Sequence, residues 1–170
     1  MIDLVRQDVI NAAHTVVIKI GTNVLTAAAG QLDHDQLAHL TEQVATLHDQ
    51  GRRVAIVSSG AIGAGLGRLG IRRRPTALPE LQAAAAIGQS HLIRAYDRCL
   101  QKHGSHAAPV LLTAEDFDDR SRYLNVRNTI HQLFRWNSVP VINENDTVKV
   151  DEIRVGDNDH LAAMVTNLIR

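Results

Sequence analysis

Two Asn/Asp clusters stand close together near the end of the chain: NEND (Asn143, Glu144, Asn145, Asp146) and GDND (Gly156, Asp157, Asn158, Asp159). Between them, Val148, Val150, Ile153 and Val155 alternate with polar residues around Asp151 and Glu152. This is the pattern of a β-hairpin near 147–156 with its turn at the acidic pair, and it predicts that the two clusters lie side by side. Their amides and carboxylates can bind an ammonium group, orient a lysine, or hold magnesium through water. Asn and Asp are also ordinary turn residues, so the same letters describe two polar loops flanking a surface hairpin.

Two further stretches can do chemistry. Lys19 interrupts the apolar run Val16, Val17, Ile18, Ile20, which ends at Gly21-Thr22. A lysine there is costly to bury. It reaches a partner at the strand end, projects into a site, or reaches solvent from an edge strand. Ser58-Ser59-Gly60-Ala61 follows the run Val54–Val57 and opens a helix. Unpaired backbone N–H groups at such a point face whatever lies beyond the sheet, and small residues let an anion approach them. A tight glycine-rich connection without a ligand is the alternative. Gly65, Gly67 and Gly70 match GxGxxG by letter, but the match begins well beyond the strand and Glu80 lies too close to serve as a ribose acid. A dinucleotide site is therefore rejected. No Walker A motif and no spaced Ser–His–acid triad is present. A lysine, glycine-rich strand ends and nearby acids suit phosphoryl transfer, where catalysis is mostly positioning and charge neutralisation.

The elements that must position these groups follow from periodicity. Residues 3–13 predict a short helix and 16–20 a strand. Asp33 caps a helix with Leu37, Leu40, Val44 and Leu47 on one face, stopped by Gly51. A strand over 53–57 completes a strand–helix–strand unit, which predicts a right-handed parallel crossover. An Ala-rich helix over 80–103 follows Pro75 and Pro79. Then come a strand over 106–113, a helix over 120–136 with Leu124, Ile130, Leu133 and Phe134 inward, a strand over 139–142, and a last helix from Asp157 to Ile169. The fold class is α/β with a mostly parallel central sheet flanked by helices. The polar clusters follow Ile20, Val57 and Ile142, all strand C-termini, which is the edge where open α/β sheets bind ligands.

Composition narrows the function. The chain has 170 residues, 45% hydrophobic and 21% charged, with Lys+Arg and Asp+Glu both 18 and a net charge of zero. That balance suits one globular domain and gives no support for nucleic-acid or membrane-surface binding. Arg72, Arg73 and Arg74 read as a solvated connector. The single cysteine, Cys99, allows no intrachain disulfide and reads as a core thiol. The nine histidines lack zinc-ligand spacing. No apolar run approaches a membrane span and no secretory h-region opens the chain, so a cytoplasmic location is expected.

VVIKIGTNVL, IVSSGAIGAG, LLTAEDFDDRSRYLN, PVINENDTV and IRVGDND together resemble the glutamate 5-kinases (gamma-glutamyl kinases) of the amino-acid kinase fold. The motifs occur in family order along almost the whole chain, and NENDTV followed by GDND is the most specific of them. The resemblance implies ATP-dependent phosphorylation of the γ-carboxylate of L-glutamate, the first step of proline biosynthesis, with Mg2+, feedback inhibition by L-proline, and a homodimer or homotetramer. It implies that Lys19, with Gly21 and Thr22, contacts ATP phosphates. Ser59, Asp146 and Asn158 match glutamate-binding positions, and Asn143 and the Gly60-Ala61 backbone belong to the same pocket. Asp159 matches the acid that organises catalytic lysines and magnesium, with no direct protein metal ligand. The family's later nucleotide segment and second catalytic lysine find no match here. Residues 1–170 are therefore expected to form the N-terminal, glutamate-binding portion of an amino-acid kinase domain. A non-catalytic module that binds glutamate or proline is the alternative.

Overall fold

The computed structural model describes residues 4–26, 31–148 and 157–170. Parallel strands β1 (Thr15–Ile20), β2 (Arg53–Ser58), β3 (His106–Leu112) and β4 (Ser138–Glu144) form a sheet in the order β1-β2-β4-β3. The helices are α1 (Leu4–Ala12), α2 (Thr22–Leu25), α3 (His34–Asp49), α4 (Ala61–Leu69), α5 (Leu78–Gln101), α6 (Glu115–Asp118), α7 (Arg120–Arg135) and α8 (Asp157–Leu168). The expected α/β class stands, and every pairing in the described sheet is parallel. Four-residue α2 and α6 were not expected, because one turn is too short to show a period. The hairpin expected near 147–156 lies outside the described residues from position 149 onward.

Each element has a local cause. Asp33 Oδ1 accepts from the Gln36 amide at 2.9 Å and caps α3, and Asp119 Oδ1 does the same for α7 through Arg122 at 2.8 Å. Gly51 and Gly70 close α3 and α4 with φ of 77° and 69°, where a side chain is strained. Pro140 has no N–H to give, and the β2–β4 register begins at the next residue, with Val141 opposite Ile56.

Strand β2 shows why the sheet is covered on both faces. Val54 and Ile56 pack with Leu37, Val44, Leu92, Tyr96 and Leu100 of α3 and α5. Ala55 and Val57 pack on the other side with Ile130 of α7 and Leu161, Val165 and Leu168 of α8. The period-two alternation of strand side chains thus feeds two separate cores. The inward set expected for α7 needs correction. Ile130 is buried, Leu133 and Phe134 are half-buried, and Leu124 is exposed. Cys99 is half-buried against the first core.

Helices α4 and α5 approach more closely than side chains allow. A Cβ on Gly65 would lie 1.9 Å from the Ala84 carbonyl oxygen, and one on Gly88 would lie 1.7 Å from the Ala61 carbonyl oxygen. Gly88 thereby seats α5 directly on the first turn of α4. Because the obstacle is backbone, Gly88→Ala must push the helices apart, at a cost of about 1–3 kcal/mol. Chemical denaturation is expected to show that loss; an unchanged midpoint would contradict the close seat.

Candidate active site

The parallel strands deliver their polar termini to one edge. There, a cleft of about 340 Å³ is lined by Lys19, Gly21, Thr22, Ser59, Gly60, Ala61, Asn143, Asp146, Asn158 and Asp159. The residues to which the resemblance assigns a role therefore meet in one place, while Asn145 of the first cluster is not part of the lining. Asn23, Val24, Ile62, Gly63, Glu144 and Arg74 complete the lining. Arg72, Arg73 and Arg74 are exposed in a loop, as expected, and Arg74 additionally stands at the cleft. A run of like charges before a proline gave no signal of which member would turn inward.

Lys19 is the penultimate residue of β1, and its Nζ lies 2.8 Å from Asp159 Oδ1 in the first turn of α8. The two side chains keep 32% and 69% of their surface. An exposed pair of this kind contributes at most about 1 kcal/mol to folding, so its consequence is positional. A Cβ on Gly21 would lie 3.8 Å from that same Nζ, so the ammonium sits over the glycine.

Ser59 is held in place by its own backbone: its amide donates to the Ile20 carbonyl at 2.9 Å, tying the end of β2 to the end of β1. Gly60 follows with φ of 99°, a left-handed turn that opens α4 and leaves the first-turn N–H groups at the cleft. Asn143, in β4, is 4% exposed. Asn158 Nδ2 donates to Ser59 Oγ at 2.6 Å and to Asn143 Oδ1 at 3.1 Å. Asn143 Nδ2 in turn donates to Gln89 Oε1 of α5 at 3.2 Å. Gln89 was not singled out by sequence; one glutamine in an Ala-rich helix looks like a surface residue. Asp146 lies in the turn after β4, where the Asn145 amide donates to the Leu112 carbonyl at 2.8 Å and prolongs the β3–β4 ladder.

Beneath this floor, Ser58 is fully buried and its Oγ is 3.1 Å from the Tyr96 hydroxyl. Burial pushes the Tyr96 phenol up to about 12, against a smaller opposing effect of the Ser58 hydrogen bond.

A cleft at the sheet edge thus brings a lysine–aspartate pair beside glycine-rich strand ends on an α/β scaffold. Residues 14–170 match the model of the Amino acid kinase family, and the chain belongs to that family. Within it, the glutamate 5-kinase of Nitrosospira multiformis is 51% identical over 163 residues, 96% of this chain and 44% of its own length. The glutamate 5-kinase of Bordetella pertussis is 52% identical over 161 residues, covering 95% and 43%. That of Thioalkalivibrio sulfidiphilus is 55% identical over 152 residues, covering 89% and 40%. The chain thus spans less than half the length of these curated relatives. Among solved structures, the carbamate kinase from Giardia lamblia bound to AMP-PNP superposes with a TM-score of 0.59 at 15% identity, over 92% of this chain and 68% of that one. That likeness concerns the fold alone. Among the described residues, no helix is long and apolar enough to cross a membrane.

Tyr96 gives the site floor a pH signature. Unfolded tyrosine ionises near pH 10, whereas the folded chain keeps that proton until about pH 12. The stabilisation is therefore complete below pH 10 and is lost as pH rises toward 12, by an amount on the order of 2–3 kcal/mol. Denaturation midpoints measured across this range are expected to fall for the wild type and to flatten for Tyr96→Phe. Parallel slopes would exclude Tyr96 as the cause.

Proposed function

We propose that this chain forms the acceptor-binding part of an ATP-dependent kinase that phosphorylates the γ-carboxylate of L-glutamate to γ-glutamyl phosphate, the first step of proline biosynthesis. Residues 1–170 would be the N-terminal, glutamate-binding portion of the amino-acid kinase domain. One observation carries the reading. Consecutive residues Asn158 and Asp159 reach Ser59 at 2.6 Å and Lys19 at 2.8 Å, respectively. The residues proposed to bind the acceptor and the lysine proposed to bind phosphate therefore share one cleft. The identity to glutamate 5-kinases supports glutamate as the acceptor.

The chemistry asks little of the protein beyond position and charge. The acceptor carboxylate has an ordinary pKa of about 4.3 and is ionised at neutral pH, so no general base is needed. In the proposed arrangement Asp146 pairs with the glutamate ammonium, while Ser59 and Asn158, braced by Asn143, hydrogen-bond its backbone end. The γ-carboxylate oxygen then faces Lys19. Gly21 and Thr22 offer close backbone approach to phosphate oxygens, and the Gly60-Ala61 amides join the glutamate pocket. Lys19, held by Asp159, would neutralise charge on the transferred γ-phosphoryl group as the new O–P bond forms and the bond to the departing ADP breaks. Magnesium, when bound with ATP, supplies further charge neutralisation on the phosphates. Among the described residues, no three His, Cys, Asp or Glu side chains converge to hold an ion. The ion is therefore proposed to enter with the nucleotide, with Asp159 the acid that faces it. Feedback inhibition by L-proline, a homodimer or homotetramer, and a cytoplasmic location are proposed from the family likeness.

The alternative reading is a module that binds glutamate or proline without transfer activity. Hydroxylamine trapping separates the two. With ATP and L-glutamate supplied to a kinase domain in which residues 1–170 are joined to a nucleotide-binding portion, hydroxamate is expected. Glutamate binding without hydroxamate would favour the module, and hydroxamate from a different acid alone would overturn the substrate.

Asp146→Ala is expected to raise the glutamate requirement by the equivalent of about 2–5 kcal/mol, the cost of removing one member of a buried charge pair. An unchanged glutamate titration would sink the assignment. Lys19→Ala is expected to lose turnover while keeping glutamate affinity; retained turnover would exclude its role.

A further inference from the structure

We propose that Gln89 of α5 is a positioning residue that sets the hydrogen-bond polarity of the amides lining the cleft. A primary amide has one donor end and one acceptor end, so a chain of amides has a direction. Here the direction runs from α8 through β4 to α5. Asn158 Nδ2 donates to Asn143 Oδ1 at 3.1 Å, and Asn143 Nδ2 donates to Gln89 Oε1 at 3.2 Å. Gln89 is the last member. Offering its oxygen turns the Asn143 nitrogen toward α5 and the Asn143 oxygen toward Asn158.

Two consequences reach the cleft. Ser59 Oγ accepts from Asn158 Nδ2 at 2.6 Å, so the Ser59 hydroxyl proton is left to donate to a ligand carboxylate. Asn158 Oδ1 is buried with no protein partner among the described residues and can accept from a ligand N–H. If Gln89 offered its nitrogen instead, each link would turn over. The Ser59 proton would be consumed by Asn158 Oδ1, and the cleft would meet the Asn158 nitrogen in place of the oxygen. The observed direction offers one donor and one acceptor, the complement of an amino acid's carboxylate and ammonium.

The anchor is rigid. Gly88, next in sequence, has no room for a Cβ, which would lie 1.7 Å from the Ala61 carbonyl oxygen and 2.5 Å from the Gly65 nitrogen. The backbone at Gln89 is thereby fixed against the first turn of α4. Gln89 presents its Oε1 to Asn143 Nδ2 at 3.2 Å, while its Nε2 is buried without a hydrogen-bond partner among the described residues.

The ligand half of this inference rests on the glutamate reading; the polarity half does not. The test compares Gln89→Glu, which can only accept when ionised, with Gln89→Lys, which can only donate. Gln89→Met serves as a shape-matched control, and thermal melts confirm folding. The nitrogen-15-labelled chain is titrated with L-glutamate while the Asn143 and Asn158 side-chain amide signals are followed by NMR. Gln89→Glu is expected to keep the wild-type amide shifts and affinity, whereas Gln89→Lys moves both signals and binds at least about tenfold more weakly than Gln89→Glu. Simple charge attraction for an anionic ligand predicts the opposite order, and a purely structural role predicts none. Equal behaviour of the two charged variants, or tighter binding by Gln89→Lys, overturns the proposal. If the wild type does not respond to glutamate while the Asn158 signals still distinguish Glu from Lys, the polarity stands and the glutamate reading fails.

Discussion

The site depends on how the first turn of α8 docks against the C-terminal edge of the sheet. Asn158 and Asp159 are neighbours in sequence, yet they turn to different partners. Asn158 bonds the ends of β2 and β4 through Ser59 and Asn143, and Asp159 bonds Lys19 near the end of β1. Neither bond does much for stability alone. A neutral side-chain hydrogen bond contributes about 1 kcal/mol net, and an exposed ion pair less. The docking is held instead by Leu161, Val165 and Leu168, which bury the same helix against Ala55, Val57 and Ile142. Hydrophobic burial fixes the helix, and the polar turn at its start is carried to the cleft.

The opposite face supplies a second brace. Helix α5 packs into the core through Leu92, Tyr96 and Leu100, and its glycine contact with α4 fixes the turn at Gly60-Ala61. Tyr96 reaches up from that core to Ser58, and Gln89 reaches Asn143. The cleft is thus gripped from both sides of the sheet by helices whose apolar stripes do the anchoring. This division of labour explains how a cleft bearing several like and unlike charges exists in a chain of zero net charge: packing places the charges, and their mutual attraction fine-tunes distances.

Much of this was legible in the sequence. The apolar runs at Val16–Ile20, Val54–Val57 and Val139–Ile142 identified strands, because buried parallel strands read as continuous β-branched segments. The residues that line the cleft were legible because polar side chains directly after such runs stand at the ligand-binding edge. What escaped notice had no local signature. The order β1-β2-β4-β3 is set by which crossover packs best, a property of the whole chain. The Lys19–Asp159 pair joins residues near opposite ends of the sequence, and only the family resemblance, which matches Asp159 to an acid that organises lysines, pointed to it. Gln89 and Arg74 acquire meaning only from what folds beside them. Leu124 kept the helical period of α7 yet is exposed, since periodicity marks a face without saying how wide a neighbour covers it.

The central claim is that the cleft holds an amino acid with its side-chain carboxylate toward Lys19. A crystal structure of this chain grown with saturating L-glutamate tests it most directly. The account predicts glutamate in the cleft, its ammonium against Asp146, its backbone end at Ser59 and Asn158, and its γ-carboxylate turned toward Lys19. Glutamate bound elsewhere, or bound here with the γ-carboxylate turned away from Lys19, would contradict it.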